Sequence, residues 1–409
     1  MATTNKLKIF NDPIYGFIGT PNELIFNLIA HPYFQRLRRI AQMGMSYLVF
    51  PGAHHTRFHH ALGCMHLMQQ AIQVLRYKNV EITEEEEKGL LCAILLHDIG
   101  HGPFSHALEH HLLGEHGHEA ISLAYMQELN HEFDGQLETA IAIFEGAYPK
   151  DFMNQLVSSQ LDMDRLDYLK RDSFYTGVTE GNINSERLIT MLNVVDNQLV
   201  VEEKGIYAVE KFLMARRFMY WQVYLHKTGF VAEMLLVRLI ERAKKLLEEG
   251  FDLPGSATLL YFLQQSVEGQ PLSREILEQF ARLDDIDVLA AIKMWQNADD
   301  QVLSRLCQML LNRDLLKIKI KNKPFLESRL AERKKWTRSY YKVAEDEVDY
   351  FVFSGEIKNT AYDVQHQNIN ILLKNGKLTD VAKASDDLGL QALSKTVTKY
   401  YACYPKTSV

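Results

Sequence analysis

The feature that most constrains the fold is an apolar stretch that ends in two ionisable residues. Residues 83–98 read TEEEEKGLLCAILLHD. Thr83 and Glu86 have the spacing of a helix-capping box, and the apolar residues that follow occupy nearly every side of the helix, which predicts a buried central helix. A histidine and an aspartate at the end of such a helix are costly to bury unless something compensates them. We therefore expect other polar groups or a cation to meet His97 and Asp98.

Hydrophobic periodicity predicts a mainly α fold. Residues 349–353 and 368–373 are rich in β-forming residues, and Asn375-Gly376 is a tight-turn signal. We expect a helical body over residues 1–312, with a core at about 56–172, and a small α+β C-terminal appendage over residues 313–409. Helical patterns cover 22–29, 32–41, 56–74, 83–98, 105–113, 119–130, 137–143, 152–158, 163–172, 207–249, 257–264, 273–283, 285–296 and 300–312.

Composition narrows the class of protein. Hydrophobic residues make up 47% and charged residues 24% of the 409 positions, as is ordinary for a globular protein. The net charge of −7 disfavours a general nucleic-acid coating protein, so nucleic acid is a possible partner but not the favoured one. The four cysteines form no CxxC pair, which argues against a disulfide framework. The sequence has neither a signal peptide nor an apolar run of about 18 residues, so we expect a cytoplasmic protein without a membrane span.

Histidine is concentrated in one part of the chain. Thirteen of the 16 histidines lie between His31 and His118, and histidine is the commonest metal ligand. RFHH (57–60) precedes His97-Asp98, and HGPFSHALE (101–109) and DMDRLDYLKRD (162–172) follow it. An HD dipeptide alone is weak evidence, because a neighbouring carboxylate often simply holds an imidazole. Together, the histidines and carboxylates form a mixed N/O donor set that suits Mn, Fe, Zn, Ni or Mg with open coordination positions.

These motifs resemble the HD-domain phosphohydrolases. Within that family the chain looks most like the deoxynucleoside triphosphate triphosphohydrolases, the group that includes bacterial dGTPases and the animal sterile-alpha-motif HD protein. The likeness extends to NDPIYG (11–16), FQRLRRIAQMG (34–44), VFPGAHHTRFHHALG (49–63), RLDDIDVLAAIKMW (282–295) and LLNRDL (310–315). The resemblance implies an HD-domain helical body and hydrolysis at the α-phosphorus, which yields a deoxynucleoside and tripolyphosphate.

The resemblance also implies roles for individual residues. It places His106 as the acid that protonates the leaving 5′ oxygen, and Glu109, three residues later, can support its charged form. His101 and His118 would bind phosphate, transfer protons or complete a second metal site. Asp162 and Asp167 are interpreted as a helix-start and a surface carboxylate. The implied ligands of one divalent ion are His60, His97, Asp98 and Asp164.

The resemblance to the family also implies which residues contact the substrate. Arg57 and Arg165 would touch phosphate, Tyr168 and Asp172 the sugar, and Gln42 the 3′-hydroxyl. On the predicted 207–249 helix, a stripe of basic and aromatic residues suits phosphate, sugar and base, although a surface helix with extended side chains is the alternative. The stripe consists of Arg216, Tyr220, Tyr224 and Lys227.

Three functions stay open at this point. The first is hydrolysis of deoxynucleoside triphosphates, the second is hydrolysis of another nucleotide or of a nucleic-acid end, and the third is regulation through nucleotide binding. The family is commonly oligomeric, so we expect a homo-oligomer with a nucleotide substrate. Tyr220 stands where the animal relative has a histidine, which bears on base recognition.

Overall fold

The computed structural model describes residues 8–265, 267, 269–362, 368–386 and 394–406, and of His106 the backbone alone. The mainly α prediction is confirmed. The helices are α1 (Glu23–Ala30), α2 (Pro32–Gln35), α3 (Arg57–Tyr77), α4 (Glu84–Leu96), α5 (Ser105–Leu113), α6 (His118–Glu132), α7 (Glu138–Phe144), α8 (Asp151–Val157), α9 (Met163–Thr176), α10 (Ser185–Thr190), α11 (Ile206–Met219), α12 (Lys227–Glu248), α13 (Ala257–Gln264), α14 (Arg274–Phe280), α15 (Asp285–Trp295), α16 (Gln301–Leu311), α17 (Glu327–Tyr341) and α18 (Val381–Ala384).

The strands form three small sheets within the described part of the chain. A hairpin joins β1 (Ile9–Asp12) and β2 (Gly16–Gly19), and a second sheet has the order β5 (Lys317–Lys321), β9 (Val397–Tyr404), β6 (Phe353–Asn359). The four-stranded sheet has the order β3 (Leu192–Val195), β4 (Gln198–Glu202), β7 (Asn370–Leu372), β8 (Leu378–Asp380). Its parallel β4–β7 pair joins strands from both sides of the predicted boundary at residue 312. The division into two domains stays a prediction.

The predicted central helix is present and buried. Thr83 and Glu86 form the expected capping box, and every residue from Leu90 to Leu96 is fully buried. Helix α4 packs on α3 and α7, and α3 packs in turn on α9. The polar residues of α3 and α9 therefore come to the C-terminal end of α4, where His97 and Asp98 lie.

The single helix predicted over residues 207–249 is wrong. Helix α11 ends at Met219, one wide π-helical turn covers Tyr220–Tyr224, and α12 begins at Lys227. His226 caps the new helix, because its Nδ1 accepts a hydrogen bond from the Thr228 amide at 3.2 Å. Leu225 leaves the helical conformation without a glycine or proline, so the local sequence carries no signal for the break.

Two further local predictions need correction. Residues 349–353 are not a strand: a 3₁₀ turn covers Glu347–Tyr350, and β6 begins only at Phe353. Val348, Phe351 and Val352 are buried, and this spacing matches a helical turn better than an alternating strand. The helix predicted over 32–41 ends at Gln35 and continues as a 3₁₀ turn over Arg36–Arg39. In the described part of the chain, no helix is both long and apolar enough to span a membrane.

The turn after His97-Asp98 packs closely on the backbone of α6. The Gly100 amide donates to Ser122 Oγ at 2.9 Å, and the Ser122 hydroxyl donates to the His97 carbonyl at 2.7 Å. A Cβ at Gly100 would lie 2.2 Å from the His118 carbonyl oxygen and 2.4 Å from the Ser122 amide nitrogen. Only glycine fits this contact, because both neighbouring atoms belong to the backbone.

We expect Gly100→Ala to separate α6 from this turn and to destabilise the protein by about 1–3 kcal/mol, as overpacking generally does. Chemical denaturation followed by circular dichroism measures the loss. Gly117→Ala is the matched control, because its Cβ would lie 3.6 Å from Glu109 Oε1, an ordinary contact, and Gly117 has φ −72°. Equal stabilities of the two variants would contradict the close-approach argument.

Candidate metal centre and substrate cavity

The four side chains proposed as metal ligands come together at the end of α4. His60 Nε2 lies 3.0 Å from Asp164 Oδ1 and 3.6 Å from Asp98 Oδ2. His97 Nε2 lies 3.5 Å from Asp98 Oδ1 and 3.6 Å from the same Asp164 oxygen. Helices α3, α4 and α9 thus bring four donors into one cluster from three separate parts of the chain.

His60 is oriented by a second carboxylate. Its Nδ1 lies 2.8 Å from Asp167 Oδ2, and Arg171 holds the same carboxylate through Nε at 2.8 Å. Arg171 also donates to Asp12 of β1 at 2.7 Å, and both Asp167 and Arg171 are fully buried. The interpretation of Asp167 as a surface carboxylate is therefore wrong. A carboxylate behind the imidazole fixes its orientation and directs Nε2 into the cluster.

His97 carries the clearest sign of a missing partner. Its Nδ1 donates to the Ile94 carbonyl at 2.7 Å, which leaves Nε2 as the atom that faces the cluster. Among the described residues, this buried Nε2 has no hydrogen-bond partner. A divalent cation bound between the two imidazoles and the two carboxylates would satisfy it, and the N/O donor set fits such an ion.

Asp98 links this cluster to a neighbouring one. Arg57 Nη1 donates to Asp98 Oδ2 at 2.5 Å, and Arg57 Nε donates to Ser105 Oγ at 3.1 Å. Asp98 Oδ1 also lies 3.3 Å from His101 Nε2. Asp98, His101 and His118 form one group with ligand atoms within 4.8 Å of one another, and His60, Cys64, His97 and Asp164 form another. The group around His60 includes Cys64, although the wide spacing of the four cysteines argues against a thiolate metal site.

Cys64 lies beside the His60 ring. Its Sγ is 3.5 Å from Nδ1 and 3.6 Å from Nε2, and burial raises the pKa of the thiol. A thiol held in its neutral form is a poor ligand, since the thiolate is the form that binds metals. Asp98 is therefore the better fourth donor.

The carboxylate of Asp164 is held in its ionised form. Burial opposes its charge, but the hydrogen bond to His60 and the charge interactions with the His60 and His97 imidazoles outweigh burial and hold the pKa of Asp164 well below its usual range. An anionic oxygen that lies between two imidazoles is well suited to bind a cation.

Glu109 contacts His118 in the structure. Its Oε1 accepts a hydrogen bond from the His118 backbone amide and lies 2.9 Å from His118 Nδ1. Burial opposes ionisation, but these bonds lower the pKa of Glu109 to about 2. The His118 ring stacks on His101 with centroids 3.9 Å apart. The side chain of His106 lies outside the described residues, so the pairing of His106 with Glu109 stays a prediction.

A cavity of about 560 Å³ opens beside the cluster, and it has the size of a typical ligand pocket. Lys227 is exposed and does not line it, because the break before α12 turns this residue away from the stripe. The predicted site residues that line the cavity are Gln42, Arg57, Asp98, His101, His118, Asp164, Arg165, Tyr168, Asp172, Arg216, Tyr220 and Tyr224.

His55 is a supporting residue that the sequence analysis missed. Its Nε2 lies 2.7 Å from Asp172 Oδ1, and the Tyr224 hydroxyl donates to Asp172 Oδ2 at 2.8 Å. The buried His55 ring also stacks on Tyr175 with centroids 4.4 Å apart. These contacts fix Asp172 and Tyr224 on the cavity wall. His55 is one of four histidines in residues 54–60, and only the fold shows which of them face the site.

We expect Asp98→Ala to lose most bound metal, because it removes an anionic donor, and Cys64→Ala to retain it. Elemental analysis of both purified variants after equal metal loading makes the comparison. Cys64→Ala is the matched control, because it changes a buried residue of the same cluster. If Cys64→Ala loses its metal and Asp98→Ala keeps its full metal content, the fourth ligand is the Cys64 thiol and not the Asp98 carboxylate.

Comparison with known proteins agrees with this geometry. The HD domain family matches residues 57–172, and the HD associated region matches residues 183–252. The Bacillus subtilis protein YwfO is 32% identical over 98% of this chain and 92% of its own length. A deoxynucleoside triphosphate triphosphohydrolase SAMHD1 homolog from Dictyostelium discoideum is 34% identical over 60% of this chain, and the match spans 51% of that protein.

Solved structures show the same relationship over the whole chain. The crystal structure of a phosphohydrolase from Bacteroides thetaiotaomicron superposes with a TM-score of 0.95 and 47% identity, over 98% of this chain and 100% of that one. A hypothetical protein from Aquifex aeolicus gives a TM-score of 0.73 at 28% identity, over 98% and 96% of the two chains. The chain belongs to the HD-domain phosphohydrolases.

Proposed function

We propose that this protein hydrolyses deoxynucleoside triphosphates at the α-phosphorus and releases a deoxynucleoside and tripolyphosphate. One observation carries the proposal: a single cavity combines carboxylates of the metal cluster, three arginines, and a wall of tyrosines with Asp172. Its cationic part suits a triphosphate, and its aromatic part suits a sugar and a base.

The cationic part of the cavity has unused hydrogen-bonding capacity. Arg57, Arg165 and Arg216 line it. Among the described residues, the buried Nη1 of Arg216 has no hydrogen-bond acceptor. Burial lowers the pKa of Arg216, which marks the cost of holding this guanidinium away from water. Phosphate oxygens would supply the acceptor, and guanidinium groups can bind them in a bidentate manner.

The sugar would lie between Gln42 and Asp172. Within the described part of the chain, the buried Oε1 of Gln42 accepts no hydrogen bond, and a sugar hydroxyl would supply one. Asp172 keeps its position through His55 and Tyr224, while the Tyr168 ring lies 6.1 Å from the Tyr224 ring. A tyrosine packed against the sugar edge would leave no room for a 2′-hydroxyl, so deoxyribose is favoured over ribose.

A bound divalent ion would supply Lewis-acid chemistry and an activated water to this site. His60, His97, Asp98 and Asp164 would hold that ion. The arginines would offset the charge on the phosphate oxygens as the bond from phosphorus to the 5′ oxygen breaks and a bond from phosphorus to the water oxygen forms. His106 would give the leaving 5′ oxygen its proton, while Glu109 holds His118 in position.

Turnover of each of the four deoxynucleoside triphosphates with Mn²⁺ or Mg²⁺ tests the reaction. We expect ³¹P NMR to show tripolyphosphate and, in ¹⁸O-labelled water, the label in tripolyphosphate alone. Asp164→Ala is expected to lose both metal and turnover, because it removes the oxygen shared by His60 and His97. Release of a nucleoside monophosphate and pyrophosphate would overturn the proposed reaction, because the bond between the α- and β-phosphates would then break in place of the bond from the α-phosphorus to the 5′ oxygen. Tight binding without turnover would point to a regulator.

We expect His106→Ala to keep metal content and nucleotide binding but to lose turnover by about 10²–10⁴-fold, the usual contribution of a general acid. Steady-state kinetics, read beside elemental analysis, separates a loss of rate from a loss of metal. Unchanged kcat would remove the acid role from His106. Assembly as a homo-oligomer and a cytoplasmic location stay predictions.

A further inference from the structure

The cavity has a region that the proposed reaction does not use. Met43, Gly44, Phe230 and Met234 line it together with Glu233. These neighbours are apolar or lack a side chain, so Glu233 is the one ionisable group of this set. It lies on α12, two turns from the start of the helix, and none of the sequence motifs draws attention to it.

Glu233 lies against the segment that follows Gln42. A Cβ placed on Gly44 would lie 3.3 Å from Glu233 Oε1, and Gly44 has φ +48°. This left-handed conformation favours glycine, and the close contact gives a second reason for glycine at this position. Because Gln42 is the proposed contact of the 3′-hydroxyl, the Glu233 carboxyl lies next to the sugar side of the site.

The carboxyl has no partner of its own. Among the described residues, Glu233 makes no hydrogen bond or ion pair, and burial raises its pKa to about 7. A carboxyl that is partly buried without donors destabilises the fold, because it loses hydration without compensation. Such a group in a cavity is a candidate contact for a ligand that brings donors of its own.

We propose that Glu233 reads the hydrogen-bonding edge of the nucleobase. This inference rests on the proposed function, since it needs a nucleotide in the cavity. With the triphosphate at the arginines and the sugar between Gln42 and Asp172, the base extends toward the apolar wall. Met43, Phe230 and Met234 can pack on its faces, and Glu233 offers the hydrogen-bonding group at its edge.

The chemistry of the carboxylate selects among the bases. An ionised carboxylate is acceptor-only, so it pairs best with two adjacent donors. Guanine presents such a pair at N1–H and its 2-amino group, whereas adenine and cytosine present a donor beside an acceptor. Thymine presents a single donor between two acceptors. Ionised Glu233 therefore favours a guanine nucleotide.

Glu233→Gln tests the inference, because it keeps the shape of the side chain and exchanges one acceptor for a donor. An amide matches adenine or cytosine, so we expect the preference for dGTP over dATP to fall by about tenfold or more. The full-length wild-type and variant proteins are assayed with both nucleotides in competition. A pH of about 8 keeps most of the carboxyl ionised and leaves the N1–H donor of guanine in place.

Glu241→Gln is the matched control. Glu241 lies two turns further along α12, contacts Arg238 at 2.9 Å and does not line the cavity. Its substitution should leave the ratio of the two nucleotides unchanged. If Glu233→Gln turns over neither nucleotide, the same ratio is measured by equilibrium binding of dGTP and dATP.

The outcomes separate the two proposals. If the wild-type protein hydrolyses deoxynucleoside triphosphates and Glu233→Gln leaves the ratio of dGTP to dATP unchanged, in turnover or binding, the role of Glu233 is overturned while the proposed function stands. If the wild-type protein hydrolyses none of them, the proposed function fails, and the binding ratio still decides whether Glu233 discriminates between bases.

Discussion

Two imidazoles and two carboxylates meet at the end of α4, whose second half is apolar and fully buried, and the surrounding structure is organised around their burial. Helix α4 is buried on every side from Leu90 to Leu96, so water cannot fully solvate His97 and Asp98. Isolated charges in such a place are unstable unless they are paired or bound to a cation. The fold meets this requirement in two layers. Asp164 and His60 complete the cluster with His97 and Asp98, and Asp167 lies behind His60 as an outer layer.

The outer layer explains why residues far from the cluster matter to it. Arg171 is fully buried between Asp167 and Asp12, and thus links α9 to the β1–β2 hairpin near the start of the chain. Loss of one partner of a buried ion pair costs about 3–5 kcal/mol, because the other charge stays buried. The same ion pair orients His60, so the stability of the fold and the geometry of the centre depend on one set of contacts.

How much the sequence could predict depends on whether a feature is local. The central helix, its capping box and the spacing of His60, His97, Asp98 and Asp164 follow from local patterns and family motifs, and the structure brings the four side chains together. Asp167 was predictable in part, because it lies three residues from Asp164 and four from Arg171 on one helix.

Other features depend on tertiary contacts. The break between α11 and α12 has no glycine or proline to mark it. It positions Tyr224 so that its hydroxyl reaches Asp172, while Lys227 stays outside the cavity. A π-helical turn of this kind is frequent at functional sites, since it changes the direction of side chains within one turn. The short hairpin of β3 and β4 is likewise completed by β7, which lies some 170 residues further along the chain.

Three of the unsatisfied buried polar atoms support the argument that this region is built for a ligand. In the described part of the chain, His97 Nε2, Arg216 Nη1 and Gln42 Oε1 are buried without hydrogen-bond partners, and all three belong to the candidate site. Each such atom costs about 1–3 kcal/mol. Gln42 and Arg216 line the cavity, and His97 belongs to the cluster of possible metal ligands beside it. Their chemistry is complementary to three different parts of one molecule: a nitrogen lone pair for a cation, a guanidinium for phosphate, and an amide oxygen for a hydroxyl. Proteins depart from local rules of stability at functional sites, and three such departures belong to the candidate site of this protein.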